Sequence, residues 1–197
     1  MQLDLGFHED LGRRPPRVVS EPSNNLFAAL QLQKSLFGQA KYIATDLMAR
    51  HGIAGRMRPW HVTLFNPLEK EPLSEALVLY LKEAFSTVNA AGFQLVLDRA
   101  KSFKVHGGWA IVLCCSQCPE AIFALRRKIV EAYQQPGLDV ADRKAFTPHM
   151  TLFYTSKRMP ELQIREPITW TVREFSLILS LWGKTRHEEQ WSWPLSP

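Results

Sequence analysis

The chain of 197 residues is 46% hydrophobic and 22% charged, which is the composition of an ordinary globular protein. Its 24 Lys and Arg against 19 Asp and Glu give a net charge of +5, which suits an anionic ligand but is too common to identify one. No apolar run reaches the length of a membrane span, and the start, MQLDLGFHEDLGRRPP, lacks the apolar region of a secretory signal. We therefore expect a cytoplasmic protein that does not bind membranes.

The chain begins with a polar segment that precedes the predicted elements. Residues 1–25 are rich in Pro, Arg, Asp and Glu, which predicts an extended arm or a disordered tail before a single domain over residues 26–197. The stretch LFAALQL (Leu26–Leu32) is typical of a buried strand. Apolar residues then recur at helical spacing, which predicts a helix that ends near His51–Gly52.

The remaining elements alternate between helices and strands. A strand is predicted at WHVTLF (Trp60–Phe65), and Leu77, Leu81 and Phe85 predict a second helix. FQLVLDRAKSF and WAIVLCC predict two strands joined by an HGG turn, followed by a third helix that ends at Pro136–Gly137. The strand AFTPHMTLFYT comes next. ITWTVREFSLILSLW and EQWSWPL then predict a closing hairpin with the polar turn GKTRHEE.

The string His-x-Thr-Leu-Phe occurs twice, with its histidines 88 residues apart. Because side chains alternate along a strand, His61 and Thr63 share one face, and His149 and Thr151 do likewise. Two such strands facing each other would bring two imidazoles and two hydroxyls to one site. This set fits phosphodiester chemistry, in which one His is the base, the other the acid, and the hydroxyls donate to phosphate oxygens. It requires no metal ion, and the sequence contains no ligand cluster that demands one.

Other residues near the motifs have two interpretations. A single His-x-Thr is more often a structural histidine with a hydrogen-bond partner, and only the repetition makes a paired site an equal alternative. Phe65 and Phe153 lie four residues after their histidines, so they share the histidine face and could line a substrate cleft. Core packing is the favoured interpretation, because large aromatic side chains are mostly buried. Arg56 and Arg58 precede the first motif and are candidates for contacts with substrate phosphates.

The histidines outside the motifs have no partner motif. We expect His187, like the others, on the surface or in a turn.

The segments that carry these motifs resemble a known family. RPWHVTLF, FTPHMTLFY, the opening strand LFAALQL and the closing segment REFSLILSLWGKTRHEEQWSWPL are similar to those of the 2H phosphoesterase superfamily. The closer resemblance is to its bacterial RNA 2',3'-cyclic phosphodiesterase branch, also called the 2'-5' RNA ligase or LigT-like family, and it spans about residues 26–195. It implies a bilobal α+β fold with pseudo-two-fold symmetry, in which two antiparallel sheets surround a central cleft and helices pack outside.

The resemblance also implies a reaction and roles for the motif residues. The reaction is metal-independent hydrolysis, without a cofactor, of a 2',3'-cyclic phosphate to a 2'-phosphate, with 2'-5' RNA ligation as its reverse. Carried over by position, His61 would be the acid toward the leaving 3'-oxygen and His149 the base for water, although the reverse assignment stays open. Thr63 and Thr151 would bind the phosphate. The family often has Arg where this chain has Tyr154, which in an unbroken strand would point away from His149.

Three functions remain as alternatives at this point. The first is a monomeric enzyme whose partner is RNA or a nucleotide with a 2',3'-cyclic phosphate. The second is a related 2H phosphoesterase that acts on 2'-5' oligonucleotides or another small cyclic phosphate. The third is a non-catalytic RNA-binding module, against which the two intact motifs argue.

Overall fold

The computed structural model describes residues 24–67, 73–133, 146–181 and 186–197. Almost all of the predicted N-terminal arm and the predicted helix end at Pro136–Gly137 lie outside these residues. The elements, in chain order, are β1 (Asn25–Gln31), a 3-10 turn (Lys34–Leu36), α1 (Phe37–His51), β2 (Arg56–Met57), β3 (His61–Phe65), α2 (Glu75–Ser86), β4 (Phe93–Val105), β5 (Gly108–Cys114), α3 (Glu120–Tyr133), β6 (His149–Thr155), β7 (Leu162–Val172), β8 (Glu174–Ser180) and β9 (His187–Pro194).

Three amphipathic helices cover one face of the sheet, because each repeats apolar residues at the spacing of helical turns. The helix α2 begins after Ser74, whose Oγ accepts a hydrogen bond from the N–H of Leu77. The helix α1 ends where Gly52 adopts a left-handed φ of 57°. The three predicted helices are thus confirmed, and the residues that they bury are Ala40, Ile43, Ala44, Leu47, Leu77, Leu81, Phe85, Ile122, Leu125, Ile129, Val130 and Tyr133.

The described strands form one nine-stranded sheet in the order β7-β4-β5-β6-β3-β1-β8-β9, with β2 beside β6. The two central strands are the motif strands β3 and β6, and their ladder consists of the single pair Val62–Met150. Outward from each motif strand come three further antiparallel strands, so the sheet consists of two matching halves. We call them the His61 half (β3, β1, β8, β9) and the His149 half (β6, β5, β4, β7). The predicted bilobal α+β class is confirmed, and the two predicted sheets are these two halves of one sheet.

The predicted closing hairpin is correct in one arm and wrong in the other. The strand β7 pairs with β4 at the edge of the His149 half, whereas β8 pairs with β1 and β9 in the His61 half. The chain passes from one half to the other at Arg173, between the two strands. The side-chain directions mark this break, because Val172 and Phe175 both lie in the main core although they are three residues apart, and alternation along one continuous strand would place them on opposite faces.

The two faces of the sheet differ in what covers them. The face under the helices carries the main hydrophobic core. On the opposite face lie two small buried clusters, one with Phe27, Ala29 and Ile178 and the other with Ala110, Val112 and Cys114. This face, which we call the open face, is the one on which the motif histidines lie. Within the described residues, no helix is long and apolar enough to cross a membrane.

Candidate active site

The pairing of β3 with β6 brings the two motifs together. Val62 lies opposite Met150, and both side chains are fully buried. Continuing this antiparallel register by one residue on each side places His61 opposite Thr151 and Thr63 opposite His149, with Cβ atoms of opposite residues about 5 Å apart. The two histidines are then diagonal neighbours with Cβ atoms about 7–8 Å apart. All four side chains are half-buried on the open face, beside the Val62–Met150 pair.

The motif strand β3 contains a β-bulge within the motif. Thr63 pairs with Ala29 of β1 and Phe65 pairs with Ala28, so Leu64 is an extra residue in β3. An extra residue exchanges the two faces of the strand beyond it. Leu64 and Phe65 therefore both turn toward the helices, where Leu64 is buried.

The motif strand β6 contains a bulge at the same position of the motif. Thr151 pairs with Val112 of β5 and Phe153 pairs with Ile111, so Leu152 is the extra residue. Leu152 and Phe153 are both fully buried in the main core. The repeated string therefore folds in the same way in both halves. Its His and Thr side chains face the site, whereas its second, fourth and fifth side chains face the helices.

These bulges correct the prediction that Phe65 and Phe153 line the cleft. Phe153 packs so closely against Gly55 that a Cβ at Gly55 would overlap its ring. The ring of Phe65 lies 4.9 Å from that of Tyr133 in α3. An offset of four residues keeps two side chains on one face only when the strand is unbroken, and here the bulge intervenes. Both phenylalanines pack in or against the core, which was the favoured interpretation.

The same bulge brings Tyr154 onto the open face, contrary to the orientation expected for an unbroken strand. Tyr154 pairs with Ala110 of the open-face cluster and is 41% exposed. On its other side it lies opposite Arg56 of β2, and cross-strand partners share a face. The exposed side chain of Arg56 therefore lies beside Tyr154, on the side of the sheet that carries His149.

Both histidines are oriented by the same local hydrogen bond. Nδ1 of His61 lies 2.9 Å from the carbonyl oxygen of Pro59, and Nδ1 of His149 lies 2.8 Å from that of Thr147. A carbonyl oxygen can only accept, so the Nδ1–H of each ring donates. This bond leaves Nε2 of each imidazole as the atom that can take or give a proton.

The surroundings of His61 favour its neutral form. Burial is the main cause that lowers its pKa from 6.5 to about 4, and the nearby imidazoles of His187 and His149 lower it further. The bond with Pro59 acts in the opposite direction but is outweighed. Two things follow: His61 is neutral at pH 7 in the free protein, and His149 lies close enough to act on it electrostatically.

Comparison with known proteins identifies the family. The family model described as the 2'-5' RNA ligase superfamily matches residues 38–181. The chain belongs to the 2'-5' RNA ligase superfamily. Escherichia coli LigT complexed with 3'-AMP has a similar fold, with 22% identity, a TM-score of 0.68 and coverage of 90% of this chain and 100% of LigT. The protein TT0787 of Thermus thermophilus is similar with 22% identity, a TM-score of 0.63 and coverage of 86% and 97%. No curated protein matches the sequence.

In this superfamily member, His187 belongs to the site, although the sequence pointed to a surface or turn residue. Its ring lies 4.9 Å from that of His61 and 5.5 Å from that of Phe27, which also stacks on His61 at 4.9 Å. Burial and then the charge of Arg58 lower the pKa of His187. Extending the alternation of Trp191 and Trp193 back along the chain would have predicted that His187 lies in a strand. The local sequence does not show on which face of the sheet its side chain lies.

A cavity of about 360 Å³ adjoins His61 at the end of β1 and the start of β3. Arg58, one of the two arginines predicted near the site, lines it together with His187 and Gln31. Its other walls include Phe37 and Trp60. Among the described residues, no three His, Cys, Asp or Glu side chains are grouped so that they could hold a metal ion.

Proposed function

We propose that the protein hydrolyses 2',3'-cyclic phosphate ends of RNA or nucleotides to 2'-phosphates, with His61 and His149 as acid and base. The main support is the pairing of Val62 with Met150, beside which both motif histidines and both motif threonines are half-buried on the open face. Superfamily membership and the complex of LigT with 3'-AMP agree with a nucleotide substrate. With the 5'-hydroxyl of a second RNA in place of water, the same attack would form a bond from phosphorus to the 5'-oxygen, break the bond to the 3'-oxygen and give a 2'-5' linkage with a free 3'-hydroxyl.

The proposed reaction needs one proton acceptor and one proton donor on opposite sides of the phosphorus. His149 accepts a proton from water at Nε2 while the water oxygen forms a bond to phosphorus. The bond from phosphorus to the 3'-oxygen breaks, and His61 donates a proton from Nε2 to that oxygen. The product carries a 2'-phosphate and a free 3'-hydroxyl, and one water is consumed.

The acid role of His61 requires that it gains a proton when substrate binds, because its pKa in the free protein is lowered to about 4. A phosphate anion beside the ring favours the imidazolium form. Calorimetry of a nucleoside 2'-phosphate in buffers of different ionisation enthalpy measures this uptake, and we expect about one proton at pH 7. Binding without uptake would favour the reverse assignment, in which neutral His61 is the base.

The phosphate itself is bound by neutral and charged donors. Thr63 and Thr151 flank the phosphorus in this proposal and donate to its non-bridging oxygens, where negative charge increases in the transition state. Arg56, opposite Tyr154 on the open face, takes the place of the arginine that relatives often have at position 154. No step is assigned to a metal ion.

The proposal is tested by incubating the protein with nucleoside 2',3'-cyclic phosphates in EDTA and identifying the products by ³¹P NMR. We expect the 2'-phosphate as the product. A 2'-5' dinucleotide and a 3',5'-cyclic nucleotide, assayed in parallel, separate this reaction from the related alternatives. RNA binding without turnover of any of these would support a non-catalytic module instead. We also propose a cytoplasmic monomer, which light scattering and cell fractionation can check.

A further inference from the structure

The cavity beside His61 has a polar side that the proposed reaction does not use. Arg58 is exposed and makes no ion pair or hydrogen bond with any described residue. The ring nitrogens of His187 likewise have no hydrogen-bond partner within the described ranges, although the ring is half-buried. Two donors without partners that face one cavity form a site for an anionic group.

A third polar residue closes this side of the cavity. Gln31 is the cross-strand partner of His61. Its Nε2 donates to Ser176, at 3.3 Å, and to Glu189. Ser176 in turn donates to Glu189 at 2.8 Å. The carboxylate of Glu189 thus accepts hydrogen bonds from Gln31 and Ser176, and Arg58 has no counter-ion among the described residues.

The opposite side of the cavity is aromatic. Phe37 is 43% exposed, and its ring meets that of Trp60 edge-to-face at 5.6 Å. The indole N–H of Trp60 donates to the carbonyl oxygen of Leu152 at 3.3 Å, which fixes this wall relative to the second motif strand. Exposed aromatic rings next to cationic groups are the usual means by which proteins hold unpaired bases.

We infer that this cavity is a subsite for a second nucleotide of the substrate, whose phosphate contacts Arg58 and His187 and whose base packs on Phe37 and Trp60. The inference rests on the proposed function, which places the reacting phosphate between His61 and His149. Because the ring of His187 lies 4.9 Å from that of His61, an anion held by His187 is an immediate neighbour of the reacting phosphate. The next phosphodiester of an RNA chain would lie there, so an RNA 3' end is the preferred substrate and a free mononucleotide is a poorer one.

The test compares kcat/KM for a dinucleotide that ends in a 2',3'-cyclic phosphate with kcat/KM for the corresponding nucleoside 2',3'-cyclic phosphate. We expect the parent protein to prefer the dinucleotide at least tenfold. Arg58→Gln, His187→Ala and Phe37→Ala should each lower this ratio toward one. Arg165→Gln and His106→Ala, which change exposed residues outside the cavity, are the matched controls and should keep the parent ratio.

The possible failures are distinguishable. If both substrates are hydrolysed at equal efficiency and the variants leave the ratio unchanged, the subsite inference is wrong while the proposed function stands. If neither is hydrolysed, the proposed function is wrong, and the subsite is then tested by calorimetry with a dinucleotide 3'-phosphate and a nucleoside 3'-phosphate. Tighter dinucleotide binding that is lost in Arg58→Gln and His187→Ala would support the subsite, and equal affinities would refute it.

Discussion

The two halves of the sheet place the same motif in different surroundings. In the His61 half, the imidazole lies between the rings of Phe27 and His187. In the His149 half, the imidazole meets the ring of Phe103 edge-to-face at 4.9 Å and lies opposite Cys114. The bulge and the Nδ1 hydrogen bond are common to both halves. The motif therefore sets position and tautomer, whereas the neighbouring strands set the electrostatic environment in which each histidine works.

The largest expected effect comes from removing either of the two motif histidines. His61→Ala and His149→Ala should each lower kcat/KM by at least about 10², because each removes one partner of acid–base catalysis. Turnover of a nucleoside 2',3'-cyclic phosphate measures the loss. His106→Ala, in the exposed turn between β4 and β5, is the control and should retain activity. Near-parent activity in either motif variant would refute the two-histidine mechanism.

A second expected effect concerns the bulge residues of the two halves. Leu64 and Leu152 are 2% and 0% exposed, so Leu64→Ala and Leu152→Ala should each lower the free energy of unfolding by about 2–5 kcal/mol. Urea denaturation measures both. Leu79→Ala, at a 65% exposed position of α2, should change stability by less than about 0.5 kcal/mol. If a bulge variant were no less stable than this control, its leucine would not anchor the strand in the core.

The third expected effect concerns the electrostatic environment of the histidine in the His61 half. The pKa of His61 is about 4 in the folded protein against an ordinary 6.5, so between these values the unfolded chain binds the proton more tightly. The free energy of unfolding should therefore fall as the pH drops from about 6.5 to 4, by up to roughly 3 kcal/mol, and the lowered pKa of His187 acts with the same sign.

This pH dependence is measured by denaturation at a series of pH values. His61→Gln should flatten the curve over this range, while His106→Gln should leave it as in the parent protein. A parent-like slope in His61→Gln would mean that other groups cause the acid sensitivity.

The smallest expected effect compares the two hydroxyls. Thr63→Val and Thr151→Val keep the shape of the side chain and remove one donor to the phosphate, so each should lower kcat/KM about tenfold or more. Thr169→Val, at an exposed position of β7, is the matched control. A loss in only one of the two motif variants would restrict phosphate binding by threonine to that half.

The sequence was sufficient where the controlling interactions are local. The alternation of a strand placed His61 with Thr63 and His149 with Thr151 correctly on one face. It failed for Phe65, because a bulge depends on how the strand pairs with its neighbour and not on its own residues.

Long-range pairing limited two further predictions. The crossing of the chain at Arg173 depends on which strands β7 and β8 pair with, and these partners lie in different halves. His187 reaches His61 only through the order β3-β1-β8-β9 and an irregularity of the β8–β9 register. Neither relation can be derived from the spacing of residues along the chain.

The single pair Val62–Met150 between β3 and β6 affects the affinity with which the molecule binds a ligand. The ladder between β3 and β6 is this single pair, and the two pairs of β2 with β6 add to it, so few backbone bonds restrain the angle between the halves at the site. A compound that contacts both imidazoles would link the two halves. Part of its binding free energy would then be offset by the conformational entropy that the protein loses as it becomes more rigid. Amide hydrogen exchange around this joint should then slow upon binding, even though no residue of the joint meets the compound itself.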